Sequence, residues 1–252
     1  MREVWHLFLY LFMIKTLSSI TFILLISLSG YCQTDTIKAY NYFQKGFQEQ
    51  KIKKYQEAIT YYDSSLNSNS NYNRVYFYRG LAKYHLNDLQ GSIADYSECI
   101  KRNVQLSSAY DNRGYSKFVL KDNEGALADY NKSIEINSKN DRAYLNRGGL
   151  KYQLKLFNEA LADFNESLVL NPKNTQILYN IALSKIALKD FKGAVADYDR
   201  FLILYPNNSN AYLLRGTAKI NISDNSGACL DFQKALTLGD KDAEEAIKEF
   251  CK

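Results

Sequence analysis

"AYLNRGGLKYQ", residues 143–153, has the composition of a helix interior, yet it carries Gly148 and Gly149 side by side. Glycine inside a helix is worse than alanine by about 1 kcal/mol, so a helix that keeps one needs a return from packing. An arginine followed by glycine recurs in "YFYRGLAKY" (76–84), "AYDNRGYSK" (109–117) and "AYLLRGTAK" (211–219).

Small residues stand at 46, 80, 114, 148, 182 and 216, a period of 34 residues without an insertion. A period that regular marks stacked supersecondary units. Twelve residues after each lies a second small residue: Ala58, Ser92, Ala126, Ala160, Ala194 and Ala228. Four further on comes an aromatic, Tyr62, Tyr96, Tyr130, Phe164, Tyr198 or Phe232; four before the first small position stands Tyr42, Tyr76, Tyr110, Tyr144, Leu178 or Tyr212. In the fourth unit Ala160, Leu161, Phe164, Ser167 and Leu168 fall on one face of a helix. Tyr144, Gly148 and Lys151 share the opposing face of the helix before it, the lysine through its methylene stem. The absent side chain at Gly148 lets the two axes approach, and packing recovers what backbone entropy loses. Gly149 falls on the other face, where this argument gives it no role.

The pattern resembles the tetratricopeptide repeat, which pairs a bulky residue and a glycine on a first helix with an alanine and an aromatic on a second, and closes with proline. The resemblance covers six units, 39–72, 73–106, 107–140, 141–174, 175–208 and 209–242, with the closing proline present only at Pro172 and Pro206. It implies an all-α fold, a right-handed α-solenoid of six helix-turn-helix units. Composition agrees: two prolines and twelve glycines in 252 residues favour helices over a turn-rich β-architecture. Residues 243–252, with Ala243, Ala246, Ile247 and Phe250 on one face, read as the terminal capping helix. Asp88, Asp122, Asp190 and Asp224 stand where second helices begin and read as N-caps. Arg79, Arg113, Arg147 and Arg215 lie sixteen residues before Asp95, Asp129, Asp163 and Asp231. Each Arg is expected to reach the Asp of its own unit as a structural pair, while the fifth unit breaks the rule with Ile181 facing Asp197.

The N-terminal segment differs in composition. Lys15 precedes "TLSSITFILLISLSG" (16–30), an uncharged run with the order and length of a secretory signal. Residues 1–32 are therefore read as a signal peptide, with Met13 a candidate true start and residues 33–38 a short linker. The alternative keeps residues 4–31 as an uncleaved membrane anchor. Tyr31 stands where a lipobox needs a small residue, which argues against lipidation of Cys32.

The resemblance also points to a partner site. In arrays of this family the second, fifth, ninth and twelfth positions of each first helix line a groove. Phe43, Phe77 and Tyr179 hold the fifth position, Phe47, Leu81 and Tyr115 the ninth, and Tyr84, Phe118 and Tyr152 the twelfth. An apolar groove of this kind suits a peptide or helix of another protein. Phe47, Leu81 and Tyr115 point most nearly outward, whereas the fifth- and twelfth-position side chains either line the groove or pack against neighbouring helices. Asn112, Asn146 and Asn180 form a ladder at the sixth position, where amides could bond an extended backbone or simply be solvated. Tyrosine, at 21 residues, adds contact surface if its rings face outward.

Other chemistries lack support. The net charge of +5 is mild and interleaved, unlike a phosphate-binding block, so no nucleic-acid partner is expected. No G-x-S-x-G, P-loop, H-E-x-x-H or C-x-x-C occurs, so no enzyme activity, cofactor, metal or small-molecule substrate is expected. His85 reads as an exposed helix residue. Cys99 and Cys229 are too far apart along a stack to bridge and read as buried small residues. Cys251 reads as a free thiol; a bond to Cys229 is conceivable, with nothing in the sequence to support it. The resulting expectation is an exported, periplasmic or secreted, non-catalytic scaffold that meets a membrane only through an uncleaved N-terminal segment. Its alternatives are a membrane-tethered assembly factor and a regulatory subunit of an envelope enzyme.

Overall fold

The structure, a computed structural model, describes residues 34–252, and all of it but turns and connections is helical. The signal peptide, the candidate start at Met13 and the alternative anchor lie outside the described residues. No helix among the described residues is long and apolar enough to cross a membrane. Two compact units are present, one ending at Val104 and one from Gln105 to Lys252.

The first unit holds α1 (34–51), α2 (Tyr55–Ser68), α3 (Arg74–His85) and α4 (Leu89–Lys101). The second holds α5 (Leu106–Val119), α6 (Asn123–Ile136), α7 (Asp141–Gln153), α8 (Phe157–Leu170), α9 (Ile177–Ala187), α10 (Phe191–Leu204), α11 (Ser209–Asn221), α12 (Asn225–Thr237) and α13 (Asp242–Phe250). Each repeat is thus one helix pair, and the fold is the all-α repeat class expected of the sequence. The expected linker is corrected: residues 34–38 are the first turns of α1. No proline or glycine interrupts them, and Thr36 Oγ1 accepts a hydrogen bond from Asn69 Nδ2 at 3.0 Å.

The turns inside the pairs share one geometry. Lys53, Asn87, Lys121, Lys155, Lys189 and Ser223 all adopt φ between 61 and 67°, the left-handed region that closes a helix C-terminus. After α3, Asn87 N–H donates to the Tyr84 carbonyl and Asp88 N–H to the Lys83 carbonyl, both at 2.9 Å. Asp88 then caps α4 by accepting from Gly91 N–H at 2.9 Å. Asp122, Asp190 and Asp224 cap their helices in the same way. In these four second helices an unpaired N-terminal donor is satisfied by the residue that follows the turn, whereas Lys54 and Leu156, at the same place before α2 and α8, give no side-chain cap.

The helix pairs close where side chains are smallest. A Cβ on Gly148 would stand 2.9 Å from Cδ1 and Cε1 of Phe164 and 3.2 Å from Cβ of Asp163. Phe164 thus fills the space that a side chain on Gly148 would occupy. A Cβ on Gly149 would meet nothing within 4 Å. Serines add a second link: Ser65, Ser133 and Ser167, all buried, donate from second helices to carbonyls at the starts of first helices, on Ala39, Ser107 and Asp141, at 2.7–2.8 Å. Cys99 occupies the equivalent register in the second repeat and is buried and free.

Among the described residues most tyrosines are half-buried, four are buried, and only Tyr40 and Tyr115 are exposed. Tyr62, Tyr96, Tyr130 and Tyr198 are at most 1% exposed. Tyr76, Tyr110, Tyr144 and Tyr212 instead lie under the guanidinium groups of Arg79, Arg113, Arg147 and Arg215, at 5.3–5.5 Å.

At the C-terminal end α13 packs on α12. Ala243 is buried, and Phe250 lies 6.3 Å from the ring of Phe232. Cys229 is half-buried and joined to Cys251 by a disulfide, with the two Cα atoms 5.6 Å apart. This corrects the reading of Cys229 as a buried apolar residue and of Cys251 as a free thiol. Cys229 sits one residue past Ala228, off the inward seam and facing the helix that folds back over it.

Candidate partner-binding face

Within residues 105–252 the first helices α5, α7, α9 and α11 touch one another in succession, whereas α6, α8, α10 and α12 do not touch one another. Helices that touch lie closer together than helices that do not. The row of first helices is therefore the inner side of this unit.

A seam of ion pairs holds each first helix in place. Arg113, Arg147 and Arg215 each give two hydrogen bonds, through Nε and Nη2, to Asp129, Asp163 and Asp231 at 2.5–2.9 Å. In the first unit Arg79 does the same to Asp95. The expected pairing holds wherever the Arg occurs. A second cation that the sequence reading missed joins each site: Lys83, Lys117, Lys151 and Lys219 reach the same carboxylates at 2.8–2.9 Å. Lys151 therefore contributes its ammonium as well as its stem, and a lysine recurring every 34 residues was the available signal. Arginine also ties neighbouring repeats together, Arg79 to Asp63, Arg147 to Asn131 and Arg215 to Asp199 at 2.6–2.7 Å. In the fifth repeat Lys185 and Arg200 serve Asp197 in place of the missing arginine. These carboxylates are nearly buried, so their charge is matched inside the fold and the seam is structural. The hydrogen bond to Asp129 holds the Arg113 guanidinium above its ordinary pKa.

The expected groove residues divide. In the first unit the aromatics mostly pack on each other. Phe43 is 3% exposed and belongs to the core with Tyr62 and Val75, which corrects its assignment to a contact surface. Its ring lies within 6.1 Å of Phe47, Tyr72 and Tyr78, which leaves it no open side. Phe47 stacks on Phe43 and lies under Lys51 Nζ at 4.7 Å. Phe77 meets Tyr78 and Tyr96 edge-on, and Tyr84 meets His85. Leu81 is half-buried. His85 is exposed, its ring stacked at 4.5 Å on Tyr55.

In the second unit Tyr115 is 36% exposed, with its ring 6.2 Å from Phe118. Tyr152 packs on Phe157, and Tyr179 packs on Tyr198 and Phe201 while its hydroxyl donates to Asn210. The asparagine ladder is partly engaged within the fold. Asn146 Nδ2 donates to Asp111 Oδ1 at 2.8 Å, and Asn112 Oδ1 accepts from Arg142 Nη2 at 2.7 Å. Only Asn180 keeps a side-chain amide with no partner among the described residues. Asp111, fully buried, also accepts from Arg142 Nε at 2.5 Å. Arg142 itself was missed by the sequence reading, because nothing in a single cation at a second position announces that a buried carboxylate lies behind it.

The tetratricopeptide-repeat family matches residues 107–140, 141–174 and 176–208. The chain is a tetratricopeptide-repeat protein. Solved structures share the fold of this tetratricopeptide-repeat protein at low identity. One is pilF of Pseudomonas aeruginosa, 17% identical, with a TM-score of 0.73 over 86% of this chain and 99% of that one. A second is a chain of an APC/C hetero-tetramer, 15% identical, with a TM-score of 0.69 over 85% of this chain; the protein spans 43% of that chain. A third is YrrB, described as a tetratricopeptide-repeat protein with an unusual peptide-binding site, 16% identical, with a TM-score of 0.56 over 68% of this chain and 88% of that one. Comparison with curated proteins gave no match.

Proposed function

We propose that this tetratricopeptide-repeat protein is a non-catalytic scaffold in the cell envelope that holds a peptide or helix of a partner protein against its row of first helices. The repeat fold is a protein-interaction fold, and the observation that carries the reading is the inner row of touching helices α5, α7, α9 and α11, with half-buried and exposed apolar side chains at its ninth and twelfth positions. Such a face offers apolar area in a hollow, which is what a visiting segment buries. Export is supported by the charged-then-apolar N-terminal order and by the Cys229–Cys251 disulfide, a bond that persists in oxidising compartments.

The test replaces Tyr115 or Leu183 with a photo-crosslinking residue in the native host, beside the same replacement at the outward-facing Val169 or Ile203. Adducts to a defined protein from the first pair and not from the second are expected. Equal adducts from both pairs, or none from the inner pair, overturn the reading. N-terminal sequencing of the native protein tests export: a mature chain beginning at Gln33 supports it, and an intact cytoplasmic chain ends it.

A further inference from the structure

The inner face of residues 105–252 is nearly uncharged. Among the second, fifth, sixth, ninth and twelfth positions of α5, α7, α9 and α11, only Asp111 and Arg142 carry charge. Asp111 is fully buried and takes hydrogen bonds from Asn146 and Arg142, so it presents nothing to a ligand. Arg142 is different. Its side chain is 52% exposed, and its plane is fixed by Nε on Asp111 and Nη2 on Asn112. Nη1 has no partner among the described residues. A guanidinium clamped on one edge offers the other edge to an acceptor without further loss of side-chain freedom.

Arg142, Asn146 and Gly149 follow i, i+4, i+7 on α7 and so share one stripe. Gly149 interrupts the row of ninth-position side chains, between Tyr115 on α5 and Leu183 on α9. No atom lies within 4 Å of where its Cβ would be, so the row has a notch there. Seven residues of helix put that notch about 10 Å from the Arg142 backbone.

We infer that Arg142 and the Gly149 notch form one recognition unit, which takes an acidic side chain and, about three residues away along an extended peptide, a large apolar side chain. This rests on the partner-binding reading above and adds to it the chemistry of the segment bound. The free Nη1 edge of the guanidinium makes its strongest hydrogen bond with a carboxylate, and the notch admits a bulk that a tyrosine or leucine, as at Tyr115 and Leu183, would obstruct. It also gives the second glycine of "RGG" a role that packing within the helix pair does not supply.

The test pans the full protein against random twelve-residue peptides displayed at the N-terminus of a phage coat protein, which offers no free C-terminal carboxylate. Enriched peptides are then synthesised and their affinities measured. The expected consensus has Asp or Glu about three residues from Phe, Leu, Met or Trp. Gly149→Leu, which fills open space and leaves the melting temperature unchanged or raised, is expected to weaken binding at least tenfold. Changing the acidic peptide residue to its amide is expected to do the same in the wild type and to cost nothing in the Asp111→Asn/Arg142→Gln double variant, which removes both charges and strands neither. Peptides that bind through Tyr115 and Leu183 but ignore Gly149→Leu and their own charge overturn this inference and leave the groove reading standing. Failure to enrich any peptide, or binding indifferent to alanine at Tyr115 and Leu183 as well, overturns both.

Discussion

Arg147 and Asp163 are joined by two parallel hydrogen bonds, Nε to Oδ2 at 2.9 Å and Nη2 to Oδ1 at 2.6 Å. Lys151 Nζ stands 2.8 Å from Oδ2 of the same carboxylate. Asp163→Asn therefore strands two largely buried cations and is expected to cost about 3 kcal/mol. Asp197→Asn is expected to cost clearly less, because the fifth repeat has Ile181 at the arginine position and one of its cations, Arg200, is 62% exposed. Urea denaturation of the two variants checks the order, and equal losses would mean that the arginine fork is not what stabilises the seam.

The paired glycines of α7 predict opposite signs. Gly149→Ala adds a methyl to open space and is expected to stabilise by up to about 1 kcal/mol. Gly148→Ala drives a methyl into the Phe164 ring and is expected to destabilise by about 1–3 kcal/mol despite the same gain in helix propensity. The midpoints of urea unfolding decide both.

Two equivalent tyrosines differ in their hydroxyls. Tyr62 donates to Gln50 Oε1 at 2.7 Å, whereas the buried Tyr198 hydroxyl has no partner because Ile186 stands where Gln50 does. Tyr62→Phe is expected to cost about 1 kcal/mol, and Tyr198→Phe to be neutral or stabilising. A loss at Tyr198 as large as at Tyr62 would contradict this account.

Burial raises the phenol pKa of Tyr62, Tyr130 and Tyr198 above the ordinary value near 10. The unfolded chain therefore releases these protons first, so the folded state is undisturbed below pH 10 and loses stability as pH rises above it. Each tyrosine contributes about 1.4 kcal/mol per pH unit in that window. Melting temperatures should be flat from pH 8 to 9.5 and fall steeply beyond pH 10, with tyrosinate absorbance appearing together with unfolding.

The Cys229–Cys251 bond closes a loop of 22 residues. Cys251→Ser is expected to destabilise the C-terminal end by about 3 kcal/mol, seen as faster amide exchange confined to α12 and α13. Burial pushes the Cys99 thiol up to about 12, so it should resist alkylation at pH 8 in the folded protein and react once unfolded.

The sequence made most of the architecture legible, because a 34-residue period with small residues in fixed places leaves one way to pair the helices. The Arg–Asp seam was readable for the same reason, since both partners recur. Apart from the recurring seam lysines, what escaped reading occurs once. Asp111 and Arg142 form a single constellation with no counterpart in other repeats, and the disulfide depends on how α13 returns over α12. Phe43 was misplaced because a helical wheel gives a direction and not a neighbour, and Tyr72 and Tyr78 close over it from the next repeat.

The contact of first helix with first helix, and its absence between second helices, has a mechanical consequence within residues 105–252. Flexing this stretch breaks no contact between second helices, so its resistance resides in the joints where each second helix meets the next first helix and where first helix meets first helix. Because the second helices leave their outer edges clear of one another, small rotations at these joints can widen or narrow the hollow without any repeat unfolding.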